Sequence, residues 1–178
     1  IFAQAHVTPF QGLTDEDPAP FLVLDGSFAA YRTVIPESDV VLAGRTRLAS
    51  ILAEGLSDVP RTRRLYAGGG GSVRGYASQM IGPLDSRNDP AGGRSAFELG
   101  AEIRAPIRGD IGGVAFVDAG AVSRDVAIDF GAGLQWAAGV GLRYYSPVGP
   151  IRIDVAFPLN PRKVDSAFAA YFSIGQAF

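Results

Sequence analysis

The chain has 178 residues, a formal net charge of −2 and 47% hydrophobic residues, so it is long enough for one medium-sized domain and lacks a basic footprint for nucleic acid. It contains no cysteine and a single histidine, His6, which excludes disulfides, thiolate metal sites and multi-histidine metal sites. We therefore predict no catalytic residues, no metal site, no cofactor and no nucleic-acid partner.

The opening segment alternates like a strand, and we predict a first strand over 1–8 followed by a polar loop at Thr14–Pro18. Nothing there resembles a signal peptide, because a basic region and a long apolar core are both missing. No apolar run approaches the roughly 18 residues that a transmembrane helix needs. A chain that begins inside a strand pattern is expected to be cut from something longer.

The next two segments, 20–35 and 39–54, each contain apolar runs, and the tight turn Pro36–Asp39 separates them, so they predict a hairpin. The segment 57–94 is rich in Gly, Pro, Asp, Ser and Arg. A loop of that length is uncommon in a compact domain unless it has a function.

This long loop holds four glycines followed by Ser72-Val73-Arg74-Gly75-Tyr76. It is not a phosphate-binding loop, because no Lys-Ser or Lys-Thr follows the glycines, and Arg74 occupies a position where a nucleophile elbow needs glycine. Such a loop could fold back and insert Arg74 into a confined space, where a desolvated guanidinium must find carboxylates. From the residues alone, a solvated loop charge remains the simpler interpretation.

The downstream half alternates with period two, which is the pattern of strands. In 151–159 the odd positions are Ile, Ile, Val, Phe and Leu, and the even positions are Arg, Asp, Ala and Pro. The same pattern predicts strands over 97–105, 134–145 and 166–178, with one more through Phe116–Gly120. The total is eight strands, with the long loop between the third and the fourth and no helix of consequence.

An all-β chain of this kind is either a soluble sandwich or an antiparallel transmembrane β-barrel of the outer membrane. Three features favour the barrel. The strands match the roughly 9–11 residues that cross a bilayer, one face mixes charge with Gly and Ala, and short turns alternate with long loops.

Several motifs together resemble the BamA/TamA family of outer-membrane assembly and secretion pores, from about residue 65 to the end. Gly70–Tyr76, followed by Ile81–Ser86, resembles the family's sixth extracellular loop, whose Arg-Gly-aromatic tip folds into the barrel lumen. Phe116–Gly120 resembles the Phe-x-Asp-x-Gly strand motif, and Tyr145–Ile151 resembles the Ser-Pro-x-Gly-Pro hairpin. The Gly-Pro-Leu-Asp-Ser stretch favours TamA over BamA.

The resemblance implies a lumen clamp in which the loop motif binds strand carboxylates, with 57–94 as a lumen-folding loop. It assigns the following residues to that clamp: Arg74, Gly75, Tyr76, Glu102, Asp118 and Gly120. It also implies a C-terminal strand signal made by Phe172, Ile174 and Phe178.

Members of the family carry a sixteen-stranded barrel behind periplasmic POTRA domains, so residues 1–178 are expected to be the second half of a barrel domain. Half a barrel leaves open edges that cannot stand in lipid. Either the remaining strands lie elsewhere, or eight strands close on themselves, or two copies pair.

The expected function is non-enzymatic assembly, insertion or translocation of other proteins at the bacterial outer membrane. The expected partners are outer-membrane lipid, client barrels or autotransporters, and periplasmic domains upstream in the parent chain. The last strand would offer a free edge to client strands. The alternatives are a plain structural or diffusion porin-like barrel, an enzyme barrel and a soluble binding module.

Overall fold

The structure, a computed structural model, describes residues 1–11, 19–147 and 149–175. These residues form one antiparallel sheet in which eight strands follow one another in chain order. The strands are β1 (Phe2–Phe10), β2 (Phe21–Ile35), β3 (Val40–Leu52), β4 (Ser95–Arg108), β5 (Ile111–Ser123), β6 (Gln135–Ser146), β7 (Gly149–Pro158) and β8 (Ala169–Ile174). The predicted polar loop Thr14–Pro18 and the C-terminal Phe178 lie outside the described residues.

Within the described residues the predicted strand count and the position of the long loop are confirmed, while the strand boundaries differ from the prediction, most of all for β5, which extends beyond Phe116–Gly120 to Ile111–Ser123. β4 extends beyond 97–105 at both ends, because pairing with β5 continues from Ser95 to Arg108. The final strand was predicted from residue 166 but pairs with β7 only from Ala169, which lies opposite Ala156. Within the described residues, β8 is the shortest strand of the sheet.

Connections at the two ends of the sheet differ in length. At one end β2 turns into β3 through the predicted tight turn, in which Asp39 adopts a left-handed φ of 50°. β4 turns into β5 at the same end through Gly109. The connection 53–94, which contains the predicted long loop 57–94, leaves from the opposite end, as do the connections 124–134 and 159–168. Short turns at one rim and long loops at the other are typical of outer-membrane barrels.

Helical structure within the described residues is confined to single 3-10 turns at Pro36–Ser38, Leu56–Asp58, Arg61–Arg63 and Phe130–Ala132. Among these residues, no helix is long and apolar enough to cross a membrane.

The two faces of the sheet have opposite character. The outer face carries large apolar side chains that remain open, including Leu48 (58% exposed), Val140 (60%) and Phe172 (69%). A continuous apolar surface of this kind is rare on soluble monomers. The inner face, against which the long loop packs, buries charged residues such as Glu102 and Asp118. This arrangement disfavours a soluble sandwich, in which the apolar face would be inside.

The long loop packs on the inner face through an apolar cluster near the loop end of the sheet. Its loop members include Val59, Leu65, Val73, Tyr76 and Ile81, all buried. They pack with strand side chains that include Phe21, Ile51, Ala96, Val122 and Ala137. Burial of these side chains holds the loop over the sheet and brings its Arg-Gly-Tyr segment to the polar part of the inner face.

Candidate functional site

Arg74 lies at the centre of the site, where its side chain is only 2% exposed. Its Nε and Nη2 donate to the two carboxylate oxygens of Asp118 on β5, at 2.7 and 2.9 Å. The backbone N–H of Arg74 also donates to Asp118 Oδ2, at 3.0 Å. A two-point guanidinium–carboxylate pair fixes orientation as well as distance.

Glu102 on β4 provides the second carboxylate, and its side chain is fully buried. Its Oε1 accepts from Arg74 Nη1 at 2.6 Å, while its Oε2 accepts from Arg104 Nε at 2.8 Å. The guanidinium carbon of Arg74 also lies 3.5 Å from the centre of the Phe116 ring, a cation–π contact. Burial alone would lower the pKa of Arg74, but Asp118 and Glu102 outweigh burial and raise it, so the guanidinium stays charged.

Asp154 on β7 is a third carboxylate of the site and is 1% exposed. Its oxygens lie 2.6 Å from Arg143 Nη1, 3.2 Å from Arg152 Nη2 and 3.6 Å from Arg74 Nη1. Arg143 and Arg152 are direct partners across β6 and β7, and like charges in that position repel. Asp154 is therefore the anion that allows two opposed arginines to be buried together.

Two glycines make the close approach of loop and sheet possible. Gly75 has a φ of +97°, and a Cβ at that position would lie 2.7 Å from the Cβ of Ala137. Gly120 lies two residues after Asp118, and a Cβ there would lie 2.7 Å from Cγ2 of Val73. A larger residue at either position would push the Arg74 segment away from its carboxylates.

Tyr76 is fully buried, and its hydroxyl lies 3.0 Å from both the Trp136 carbonyl and Oδ1 of Asn160, either of which can accept its proton. Burial, and then the negative charge of Asp165, raise the pKa of this phenol. Tyr76 thereby anchors the loop to the start of β6 and to the segment after β7.

Two further arginines hold the loop by its backbone carbonyls. Arg45 on β3 donates to the carbonyls of Gly71 and Ser72. Arg162, after β7, donates to the carbonyls of Met80 and Gly82.

Asp165 fixes the orientation of the Arg162 guanidinium by accepting from Nε at 3.0 Å and from Nη2 at 2.9 Å. Burial opposes the ionised form of Asp165, but the hydrogen bonds and charge of Arg162 outweigh it and lower the pKa of the carboxyl. The Arg162 contact with the loop is therefore supported by an ionised carboxylate at neutral pH.

The six residues assigned to the clamp from the sequence lie together: Arg74, Gly75, Tyr76, Glu102, Asp118 and Gly120. Phe172 and Ile174 do not join them, because both lie on the outer face of β8 and are exposed. Glu98, another buried carboxylate of β4, binds Arg47 at 2.8 Å rather than Arg74.

Sequence reasoning assigned no role to Asp154, Arg45, Arg162 or Tyr171. The alternation of 151–159 placed Asp154 on the same face as Arg152, and this position could have indicated that Asp154 belongs to the charged inner face. For Arg45 and Arg162 no such signal existed, because both bind loop carbonyls and not a side-chain motif.

Chemically, the arrangement is a fixed network of ion pairs. Among the described residues, no group of three or more His, Asp or Glu side chains is placed to hold a metal ion. His6 lies on β1 and is exposed. Each clamp carboxylate is engaged by at least one guanidinium, so what the site can do is hold the loop in one position.

Known proteins of the outer membrane and outer envelope are similar in sequence to this chain. A profile of the Omp85 superfamily domain matches residues 4–178. The chain is 34% identical over 158 residues to the outer membrane protein assembly factor BamA of Nitratidesulfovibrio vulgaris strain Hildenborough, covering 85% of this chain and 20% of that protein. It is 36% identical over 101 residues to the chloroplastic outer envelope protein 80 of Arabidopsis thaliana, covering 51% of this chain and 12% of that protein.

Among solved structures, the chain is similar to BamA from Haemophilus ducreyi lacking POTRA domains 1–3, with a TM-score of 0.72 and 22% identity. The likeness covers 95% of this chain and 37% of that chain, and at this identity it concerns the fold alone. The chain spans about a fifth of the length of the BamA relatives. The preference for TamA over BamA stays a prediction, because these relatives carry the BamA name.

Proposed function

Because this chain belongs to the Omp85 superfamily, we propose that it is the C-terminal half of an outer-membrane β-barrel that assists the insertion or translocation of other outer-membrane proteins. Its outer face meets lipid, and the inner face and the docked loop, 57–94, line and fill part of the lumen. The proteins it acts on, its clients, are other barrels or autotransporters, and the protein works in the bacterial outer membrane.

The observation that carries this proposal is the combination of a tightly held lumen loop with a short edge strand. The clamp around Arg74 keeps the lumen side of β4, β5 and β7 in one arrangement. β8 pairs with β7 over the six described residues 169–174, and β1 and β8 are the two edge strands at which further strands would close the barrel. A client strand can pair with such an edge through main-chain hydrogen bonds.

This function involves no covalent chemistry, and we propose that the protein is not an enzyme. Outside this chain, the remaining strands of the barrel and periplasmic domains upstream complete the protein. Pairing of two half-barrels is the alternative way to satisfy the open edges of the sheet.

A reconstituted assembly assay tests the proposal. Full-length protein in vesicles of outer-membrane lipid is expected to raise the rate at which a small urea-denatured client barrel becomes heat-resistant, several-fold over empty vesicles. The rate with an Asp118→Ala variant is expected to fall toward that of empty vesicles, because the loop loses its main anchor. The exposed Asp89→Ala variant is the matched control and should behave like the unmodified protein.

The rival function is a diffusion porin, which would use the same alternating strands. Single-channel recordings on the same vesicles separate the two. Steady open conductance without faster client folding would favour the porin and contradict the proposal.

A further inference from the structure

Tyr171 is the side chain through which the edge strand contacts the loop. It lies on the inner face of β8, directly opposite Asp154 of β7. Its hydroxyl accepts from the backbone N–H of Gly75 at 3.0 Å and donates to the carbonyl of Tyr76 at 3.0 Å. Among the described residues, these are the side-chain hydrogen bonds that join β8 to the loop.

The Tyr171 ring is enclosed from two sides. On the loop side, a Cβ at Gly70 would lie 2.8 Å from its Cδ1 atom. On the sheet side, Tyr171 packs against the buried cluster formed by Val114, Phe116 and Ala156. Phe116, a member of that cluster, is also the ring on which the Arg74 guanidinium rests.

We propose that Tyr171 is a positioning residue that couples docking of the loop tip to the order of the edge strand β8. The inference deepens the proposed function, on which it rests, since it assigns to one side chain the link between the clamp and the client-pairing edge. When the Arg74 segment is docked, the Gly75 N–H and Tyr76 carbonyl hold the Tyr171 hydroxyl, and the strand that carries it is held extended. By linkage, an ordered β8 equally favours the docked loop.

The short pairing of β8 explains why such a link has an effect. Within the described residues, six residue pairs hold β8 to β7, and the N–H of Gly175, which follows β8 with a φ of +108°, adds one hydrogen bond to the Pro150 carbonyl at 2.8 Å. Strand ends with few partners open locally at low free-energy cost. The two hydrogen bonds of the Tyr171 hydroxyl therefore add to a short main-chain ladder, where their loss is expected to be felt.

Hydrogen exchange on the full-length protein in lipid vesicles tests the coupling without any client. Tyr171→Phe removes only the hydroxyl, and we expect the amides of 169–174 to exchange faster by on the order of fivefold to tenfold. The amides of 73–76 should also exchange faster. The control is Tyr144→Phe, an exposed tyrosine on the outer face of β6, which should change neither segment.

A double-mutant cycle with Arg74→Lys separates coupling from simple loss of packing. In the unmodified background, Arg74→Lys should speed exchange of β8 as well as of the loop. In the Tyr171→Phe background, it should speed exchange of the loop alone. Gly70→Ala, which crowds the ring from the loop side, should reproduce the β8 effect and provides a second variant if Tyr171→Phe fails to fold.

Unchanged β8 exchange in Tyr171→Phe, or strictly additive effects of the two substitutions on β8, would overturn the inference. The client assay with Tyr171→Phe is a separate readout. Coupling present without any change in client folding would count against the proposed function and leave the coupling intact.

Discussion

Replacing Arg74 by alanine is expected to release the loop 57–94 from the inner face and to lower the free energy of unfolding by about 3–5 kcal/mol. The loss of stability is large because the substitution leaves two buried carboxylates, Asp118 and Glu102, without their main cation. Limited proteolysis of the protein in lipid vesicles would then cut the loop rapidly, and urea would unfold the barrel at a lower concentration.

Matched variants identify the cause of that loss. Arg87→Ala removes an arginine of the same loop whose side chain is 79% exposed, and it should leave proteolysis unchanged. Arg74→Lys keeps the charge but not the two-point geometry toward Asp118, so an intermediate result is expected. If Arg74→Ala, Glu102→Ala and Asp118→Ala all left the protease sensitivity of the loop unaltered, the clamp would be abandoned.

Asp154→Ala is expected to destabilise the barrel about as much as loss of Arg74, by roughly 3 kcal/mol or more. The substitution leaves Arg143 and Arg152 opposed across β6 and β7 with no carboxylate between them. Both arginines are more than nine-tenths buried, so water cannot replace the lost anion without opening the strands. Urea unfolding in lipid vesicles measures the effect.

A second substitution tests that explanation. Asp154→Ala combined with Arg143→Met removes one unpaired cation and should recover a substantial part of the lost stability, because replacing a buried ion pair with apolar residues is often close to neutral. No recovery in the double variant would mean that repulsion between the arginines is not the source of the loss. Asp89→Ala, whose side chain is 61% exposed, serves as the control.

The strands could be predicted from the sequence because a transmembrane sheet has one simple rule, alternation of apolar and other side chains, and this chain follows it closely in 134–145 and 151–159. The ends were harder to predict. The start of β8 is set by where β7 stops pairing, and nothing in residues 166–168 marks that point. The apolar alternation already includes Phe168, one residue before the first residue of β8 that pairs with β7.

Some residues of the site could be named from the sequence and others could not, and the difference has a physical reason. Arg74, Asp118 and Glu102 belong to motifs that carry a resemblance, so they could be named. The contacts of Asp154 and Tyr171 depend on how β7 and β8 are aligned, because the two residues lie directly opposite each other. Only this strand pairing brings the Tyr171 hydroxyl to the loop. A contact that spans about a hundred residues of chain leaves no local pattern to read.

Site-specific photo-crosslinking during client assembly tests most directly the claim that β8 is the edge that receives client strands. A photoreactive residue at Ala170, exposed on β8, should form adducts with a stalled client barrel in the full-length protein, whereas one at Val117, on the outer face of β5 in mid-sheet, should not. Adducts at Ala170 alone are the predicted result. Equal adducts at both positions, or none at Ala170 while assembly proceeds at its normal rate, would contradict it.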